Sequence, residues 1–335
     1  MTLRWALAST EEDGTLFADE RAATRHVGRG AYAGLEFLHV NARTIINAVP
    51  PQSQMPFRYT INAYRGCSHA CTYCFARPTH EYLGLDIGSD FERRIVVKIN
   101  AVERLRAEVR AAKWSGDHIA MGTNTDPYQH AEGKYHLTRG IIDVLSEARN
   151  PFSILTKSTL ILRDAKALAA AAARTDVSVS FSVGTLDRDV WKLTEPGTPP
   201  PDKRIEALRR LTEAGIPCGV LVAPLLPGLS DRDDQIEHVV EACARAGAVS
   251  IHGLALHLRG PMRAHYTAWL EGVRPDLAAL YRERFKGGAY QPQSERDRVA
   301  DVVRNVARRC GVNGRDTYER AAPVQITPSA QLSLL

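Results

Sequence analysis

From residue 57 onward the chain alternates short apolar or β-branched runs with longer helical stretches, about six times over. Runs of strand character fall at 57–64, 118–122, 152–156, 177–183, 218–223 and 250–256. Helical stretches lie between them, at 97–113, 138–149, 163–173, 202–214 and 231–246. Strands separated by helices pair in parallel, through right-handed crossovers that lay the helices on the sheet. Gly215 and Gly247 stand where two of these helices should stop, and Asp202 and Asp231 where two could be capped. The pattern predicts an α/β chain built as a partial (β/α)6 barrel over 56–260. Residues 1–55, with Gly28-Arg29-Gly30-Ala31 and a Pro-rich stretch at 49–56, read as an N-terminal extension that wraps the barrel. A C-terminal helical part follows at 261–320, its last helix at 294–310, and then a flexible tail at 321–335.

Composition narrows the class without choosing a function. A single α/β barrel fits comfortably in 335 residues. With 43 basic and 38 acidic side chains the net charge is +5, compatible with nucleic acid but not diagnostic of it. No apolar run approaches the length of a membrane span. The first ten residues lack the apolar centre of a signal peptide, and scattered free cysteines suit a reducing cytoplasm.

The chemistry-bearing feature is Gly66-Cys67-Ser68-His69-Ala70-Cys71-Thr72-Tyr73-Cys74-Phe75, placed after the first barrel strand. The spacing C-x3-C-x2-C offers three thiolates from one loop. A [4Fe–4S] cube held by three cysteines keeps one iron open, whereas an electron-transfer cube takes four. An open coordination position is what separates reactive from structural metal sites. Tetrahedral zinc is the alternative, with His69 or His80 as fourth ligand, but no second Cys/His pair has the spacing of a zinc knuckle. Cys218, Cys243 and Cys310 are too scattered to suggest a disulfide set. Cys218 and Cys243 read as small core residues.

With the aromatic Tyr73 just before the third cysteine, this loop resembles the signature of radical S-adenosylmethionine (SAM) enzymes. The resemblance extends from about 57 to about 228. It implies a [4Fe–4S] cluster whose open iron chelates the amino and carboxylate groups of SAM, and an electron donor. Reductive cleavage would then yield methionine and a 5′-deoxyadenosyl radical that abstracts hydrogen. Within 181–207, Phe-Ser-Val-Gly and Thr-Glu-Pro-Gly-Thr-Pro-Pro-Pro-Asp-Lys-Arg-Ile-Glu-Ala resemble the spore photoproduct lyase branch and its photolyase-like relatives. That enzyme's pattern has a hydrogen-donating cysteine before the Asp of the segment after the second strand. Residues 121–126 here contain none, so that activity does not carry over.

Barrel chemistry sits at the carboxyl ends of the strands. After the second comes Gly122-Thr123-Asn124-Thr125-Asp126-Pro127-Tyr128-Gln129, where Thr125 and Asp126 offer short polar groups to an ammonium or simply form a turn. Likeness to the family's Thr-Asp-x-Tyr-Gln pattern assigns the segment to the SAM amino group. Lys157 follows the third strand, and a cation there is costly to bury unless an anion meets it. The family places a lysine at this point for the SAM carboxylate. In the fourth strand Ser178, Ser180 and Ser182 share one face. By resemblance Ser182 contacts SAM, while Ser178 and Ser180 fill the barrel. Glu195 and Arg204 flank three stiff prolines, as a structural clasp or as SAM contacts. Pro224 to Gly228 forms a rigid loop, and His257, Arg259, Tyr64 and Arg65 also have a claim to the rim.

The last five residues, Gln331-Leu332-Ser333-Leu334-Leu335, resemble the peptide with which bacterial DNA enzymes dock on the replisome's sliding clamp. Leucines on a tail of this kind are anchors that order on a partner. Three readings follow: a radical SAM enzyme repairing or modifying nucleic acid; one modifying a protein, peptide or RNA; and a non-catalytic metal-cluster protein.

Overall fold

The computed structural model describes residues 24–53 and 55–313. Its strands are β1 (Thr24–Val27), β2 (Glu36–Val40), β3 (Ile46–Ala48), β4 (Tyr59–Ile61), β5 (Tyr64–Arg65), β6 (Arg94–Lys98), β7 (Ile119–Met121), β8 (Phe152–Thr156), β9 (Val177–Ser182), β10 (Cys218–Leu225) and β11 (Ser250–Ala255). β4, β7, β8, β9, β10 and β11 lie side by side in chain order, each parallel to the next. This is the expected six-stranded partial barrel. Ile61, Met121, Ile154, Val179, Val220 and Ile251, from its six strands, share one buried cluster. Each such side chain contributes about 1.5–3 kcal/mol on burial. The helices Ala101–Arg110, Leu137–Glu147, Ala165–Ala172, Pro201–Glu213 and Asp233–Arg245 provide the crossovers. Antiparallel β3 extends the sheet beyond β4, and the helix Gln293–Arg309 packs on β11 at the other side.

A second sheet, in the order β1-β2-β6-β5, departs from the sequence pattern. The helix expected over 97–113 starts only at Ala101, because the β-branched run ahead of it is a strand, β6. Both faces of β6 are covered: Ile95 and Val97 join the barrel core, while Val96 packs with Leu38, Val40, Leu83 and Leu85. The described part of the expected wrapping extension thus contributes strands to both sheets. The first expected strand, 57–64, divides into β4 and β5. Between them the Asn62 amide nitrogen donates to the Thr123 hydroxyl at 3.2 Å, and its oxygen accepts from the Asn124 N–H at 3.1 Å. Tyr64 and Arg65 consequently belong to the second sheet, and the Tyr64 hydroxyl donates to Glu132 at 2.6 Å.

Two expected caps are corrected. Pro200 occupies the N-cap of the helix Pro201–Glu213, so Asp202 lies in its first turn. Arg232 caps the helix Asp233–Arg245, while Asp231 accepts from the Gly228 N–H at 2.8 Å. Gly215 and Gly247 do follow helix ends, with φ of +82° and +91°, in the left-handed region that glycine enters freely. Cys218 and Cys243 are fully buried, as expected of core residues. Among the described residues no helix is long and apolar enough to cross a membrane. The docking residues Gln331, Leu332, Leu334 and Leu335 lie outside the described residues.

Candidate active site

The loop after β5 brings Cys67, Cys71 and Cys74, all free thiols, into the wall of a cavity of about 190 Å³. Its backbone is fastened from three directions. The buried Arg77 guanidinium donates to the Cys71 carbonyl through Nε at 3.0 Å and Nη2 at 2.9 Å, and to the Ala70 carbonyl at 3.2 Å. Gln129 accepts from the Ser68 N–H at 3.0 Å, while its amide nitrogen donates to the Gly66 carbonyl at 2.9 Å. From the far side of the barrel, the Thr72 N–H donates to Thr194 at 3.0 Å and the Gly197 N–H to His69 at 3.1 Å. Gly197 approaches so closely that an added Cβ would sit 2.2 Å from the Ser68 carbonyl oxygen.

While the backbone is held, the sulfurs form no disulfide, and Cys67 is hydrogen-bonded to the His69 ring. Burial, with Glu195 nearby, pushes the Cys71 thiol well up. Burial and the neighbouring Cys67 push Cys74 to about 11. Such thiols lose their protons when a metal takes the proton's place.

Thr125, Asp126, Lys157 and Ser182 form the facing wall. Both Asp126 oxygens are engaged: one accepts from Thr156 Oγ1 at 2.7 Å and the Tyr128 N–H at 2.9 Å, the other from the Lys157 N–H at 2.7 Å. The second also meets His69 Nδ1 at 3.3 Å. Burial disfavours charge on His69, but Asp126 and Cys67 outweigh it and hold its pKa up at about 10. Asp126 therefore aligns its neighbours. Thr125 donates to the Gly66 carbonyl at 2.7 Å and ties this loop to the cysteine loop.

Lys157 Nζ donates to Ser182 Oγ and lies 3.5 Å from a Glu195 carboxylate oxygen. Behind it Glu195 also accepts from the Tyr73 hydroxyl and from Arg204. Burial opposes ionisation of Glu195, yet Arg204 and Lys157 outweigh it and hold its pKa down at about 2. Arg204 in turn donates to the Ser182 carbonyl at 3.0 Å and the Pro199 carbonyl at 2.9 Å. Glu195 and Arg204 thus stand behind the cavity wall, joining Tyr73, Lys157 and Ser182 in one network.

The sequence singled out Thr125, Asp126, Lys157 and Ser182, and the fold brings all four to the cysteines. Tyr64 and Arg65 are absent from the cavity lining, and His80 instead bonds the Arg94 carbonyl at 3.0 Å. Sequence reasoning missed Arg77, Gln129 and Gly197 as supports of the loop. For Gln129 a signal existed, since it closes the Thr-Asp-x-Tyr-Gln pattern; for Arg77 the nearby cysteines were the only cue.

The donor set fits an open-iron cube: three thiols on one loop facing a cavity, with a lysine across it. Among the described residues no three His, Cys, Asp or Glu side chains converge on a point suited to one ion. A cube does not require that, because each thiolate binds a different iron.

Comparison with known proteins agrees. The radical SAM superfamily model matches residues 61–243. An uncharacterised protein of Mycobacterium tuberculosis is 42% identical over 308 residues, 90% of this chain and 91% of that one. An uncharacterised protein of Methanocaldococcus jannaschii is 30% identical over 206 residues, 62% of this chain and 72% of its own. A solved spore photoproduct lyase superposes with a TM-score of 0.61 at 19% identity, over 82% of this chain and 79% of that one, which shows a shared fold. The cysteine loop, the six-stranded partial barrel and the family match lead to one assignment: the chain belongs to the radical SAM superfamily, enzymes whose cofactors are a [4Fe–4S] cluster and SAM.

Proposed function

We propose that this enzyme performs its radical chemistry on a base of nucleic acid, in repair or modification. The cavity carries the reading of the site: three free thiols on one wall oppose a charge-paired lysine on the other. Cys67, Cys71 and Cys74 hold the cluster. Lys157 and Ser182 receive the SAM carboxylate, and Thr125 with the loop around it faces the amino group. Asp126 orients Lys157 through its backbone, Glu195 and Arg204 keep the ammonium in place from behind, and Tyr73, on the cavity wall, donates to Glu195. Bound together, cluster and SAM supply a 5′-deoxyadenosyl radical that abstracts hydrogen.

Support for nucleic acid comes from a solved spore photoproduct lyase, a fold neighbour whose structure is complexed with a dinucleoside spore photoproduct. The basic balance of the chain and the terminal Gln331-Leu332-Ser333-Leu334-Leu335, read as a sliding-clamp peptide, agree with it. Lysis of spore photoproduct itself is not proposed, because residues 121–126 hold no cysteine to return the hydrogen. A reducing cytoplasm with a cellular electron donor suits an oxygen-sensitive cluster. The test is anaerobic incubation of reconstituted enzyme with SAM and dithionite, alone and with DNA or RNA. 5′-Deoxyadenosine rising above the uncoupled rate with nucleic acid supports the proposal. A rise only with peptide or protein would move the substrate to that class.

A further inference from the structure

Outside the SAM pocket, the cavity rim carries a connected run of rings and guanidinium groups. Phe75, next to the third cysteine, is 54% exposed, and Tyr290 is 40% exposed. Between them lies His257, with ring centroids 6.1 Å from Phe75 at a tilt of 34° and 5.8 Å from Tyr290 at 30°. Arg259 and Arg296 lie over the Tyr290 ring, 5.0 Å and 5.4 Å from its centroid. The arrangement is set by backbone, not by chance contact of flexible side chains. His257 and Tyr290 form an antiparallel bridge, the Leu258 N–H donates to the Ala289 carbonyl at 2.8 Å, and Gln291 Nε2 donates to the Leu256 carbonyl at 3.2 Å. A segment from beyond the barrel is thereby fixed against the chain leaving β11. Phe75 and His257 also line the cavity, so the run of rings continues into the reaction chamber.

Partly exposed rings beside cations match what an unstacked nucleotide presents: a flat base and an adjoining phosphate. Burial and the adjacent Arg259 lower the His257 pKa, so its ring remains a neutral stacking surface. Arg296 Nε has no hydrogen-bond partner. Resting on the nucleic-acid reading above, we infer that Phe75, His257 and Tyr290 form a stacking platform for an unpaired base of a single strand. Arg259 takes the adjoining phosphate, and the neighbouring nucleotide is presented to the cavity. The platform selects unstacked over duplex nucleic acid, since a base inside a helix has no free face to offer.

Fluorescence anisotropy of the reconstituted enzyme tests this, using labelled single strands of about 12 nucleotides in DNA and RNA forms and the matching duplex. Wild type should prefer a single strand, with the DNA and RNA arms showing which sugar it accepts. Tyr290→Ala should weaken binding roughly 5- to 150-fold, the range for loss of one stacked base, while Tyr290→Phe retains it. Arg259→Gln should lower the slope of log affinity against log salt by about 0.7, the value for one single-strand phosphate. Iron and sulfide content and Tm equal to wild type establish that the variants are folded. Unchanged affinity in folded Tyr290→Ala, with wild-type binding intact, overturns the platform and leaves the nucleic-acid reading standing. Equal or tighter duplex binding also overturns the platform. Failure of wild type to bind any of the strands overturns the platform and counts against the reading beneath it.

Discussion

The two walls of the cavity are built on opposite electrostatic plans. On the cysteine wall, Arg77, Gln129 and the Gly197 segment hold the backbone of three free thiols, and His69 lies against Cys67. On the facing wall Lys157 is paired, through Ser182 and Glu195, and Glu195 is paired again with Arg204 and Tyr73. On the function proposed above, the difference follows from what each wall would receive. A thiolate bonded to iron would obtain most of its compensation from the metal. A buried ammonium awaiting a small anion has no such source and is costly to leave alone. Glu195, 3.5 Å from Lys157 Nζ, is the resident negative partner.

The largest expected effect tests the cysteine wall. Cys67→Ala, Cys71→Ala or Cys74→Ala should each abolish cluster assembly and SAM cleavage, read as iron, sulfide and 5′-deoxyadenosine. Cys218→Ala and Cys243→Ala, at core positions, should keep full iron content. Full iron content in any of the first three would break the assignment of that wall.

Next comes the charge network. Glu195→Ala strands Arg204, which is 1% exposed, and removes the partner of Lys157. Breaking a buried pair from one side costs about 3–5 kcal/mol. Denaturant unfolding should show this as a lower midpoint; an unchanged midpoint would mean the two walls do not differ as described.

Lys157→Ala sharpens the comparison from the ligand side. It should weaken SAM binding by about 1.5–3 kcal/mol, the value of a hydrogen bond to a charged group, with the cluster intact. Equilibrium dialysis with reconstituted enzyme measures it, and unchanged SAM affinity would remove Lys157 from the pocket.

Gly197→Ala probes how the walls are joined. Its Cβ would meet the Ser68 carbonyl, so the cysteine loop must move. Overpacking of this kind costs about 1–3 kcal/mol, and the Tm of apo protein should fall before any cluster is present. A Tm equal to wild type would show that the loop accommodates the methyl group.

Much of this was readable beforehand because it is local. The six barrel strands appear as apolar runs; the C-x3-C-x2-C loop, Thr125, Asp126 and Lys157 follow strand ends, and Ser182 is the last residue of β9. The helix expected from residue 97 overlaps only Val97 and Lys98 of β6, and the strand escapes notice because a short β-branched run leading into a helical stretch has no decisive period of its own. Asp202 was taken for a cap because aspartate suits that role, yet the preceding prolines had already set the helix start.

The sequence by itself determined the parallel barrel and the spacing of the three thiols, since strand period, crossover length and cysteine spacing are written in neighbouring residues. Tertiary structure alone decided which charges meet. Gln129 reaches Ser68 across 61 residues and Tyr73 reaches Glu195 across 122. Whether Glu195 and Arg204 touch ligand or brace the residues that do was open in the sequence, because both roles call for the same two side chains. The fold buries both outside the cavity lining and bonds them to Tyr73, Lys157 and Ser182, a placement that depends on segments far apart in the chain.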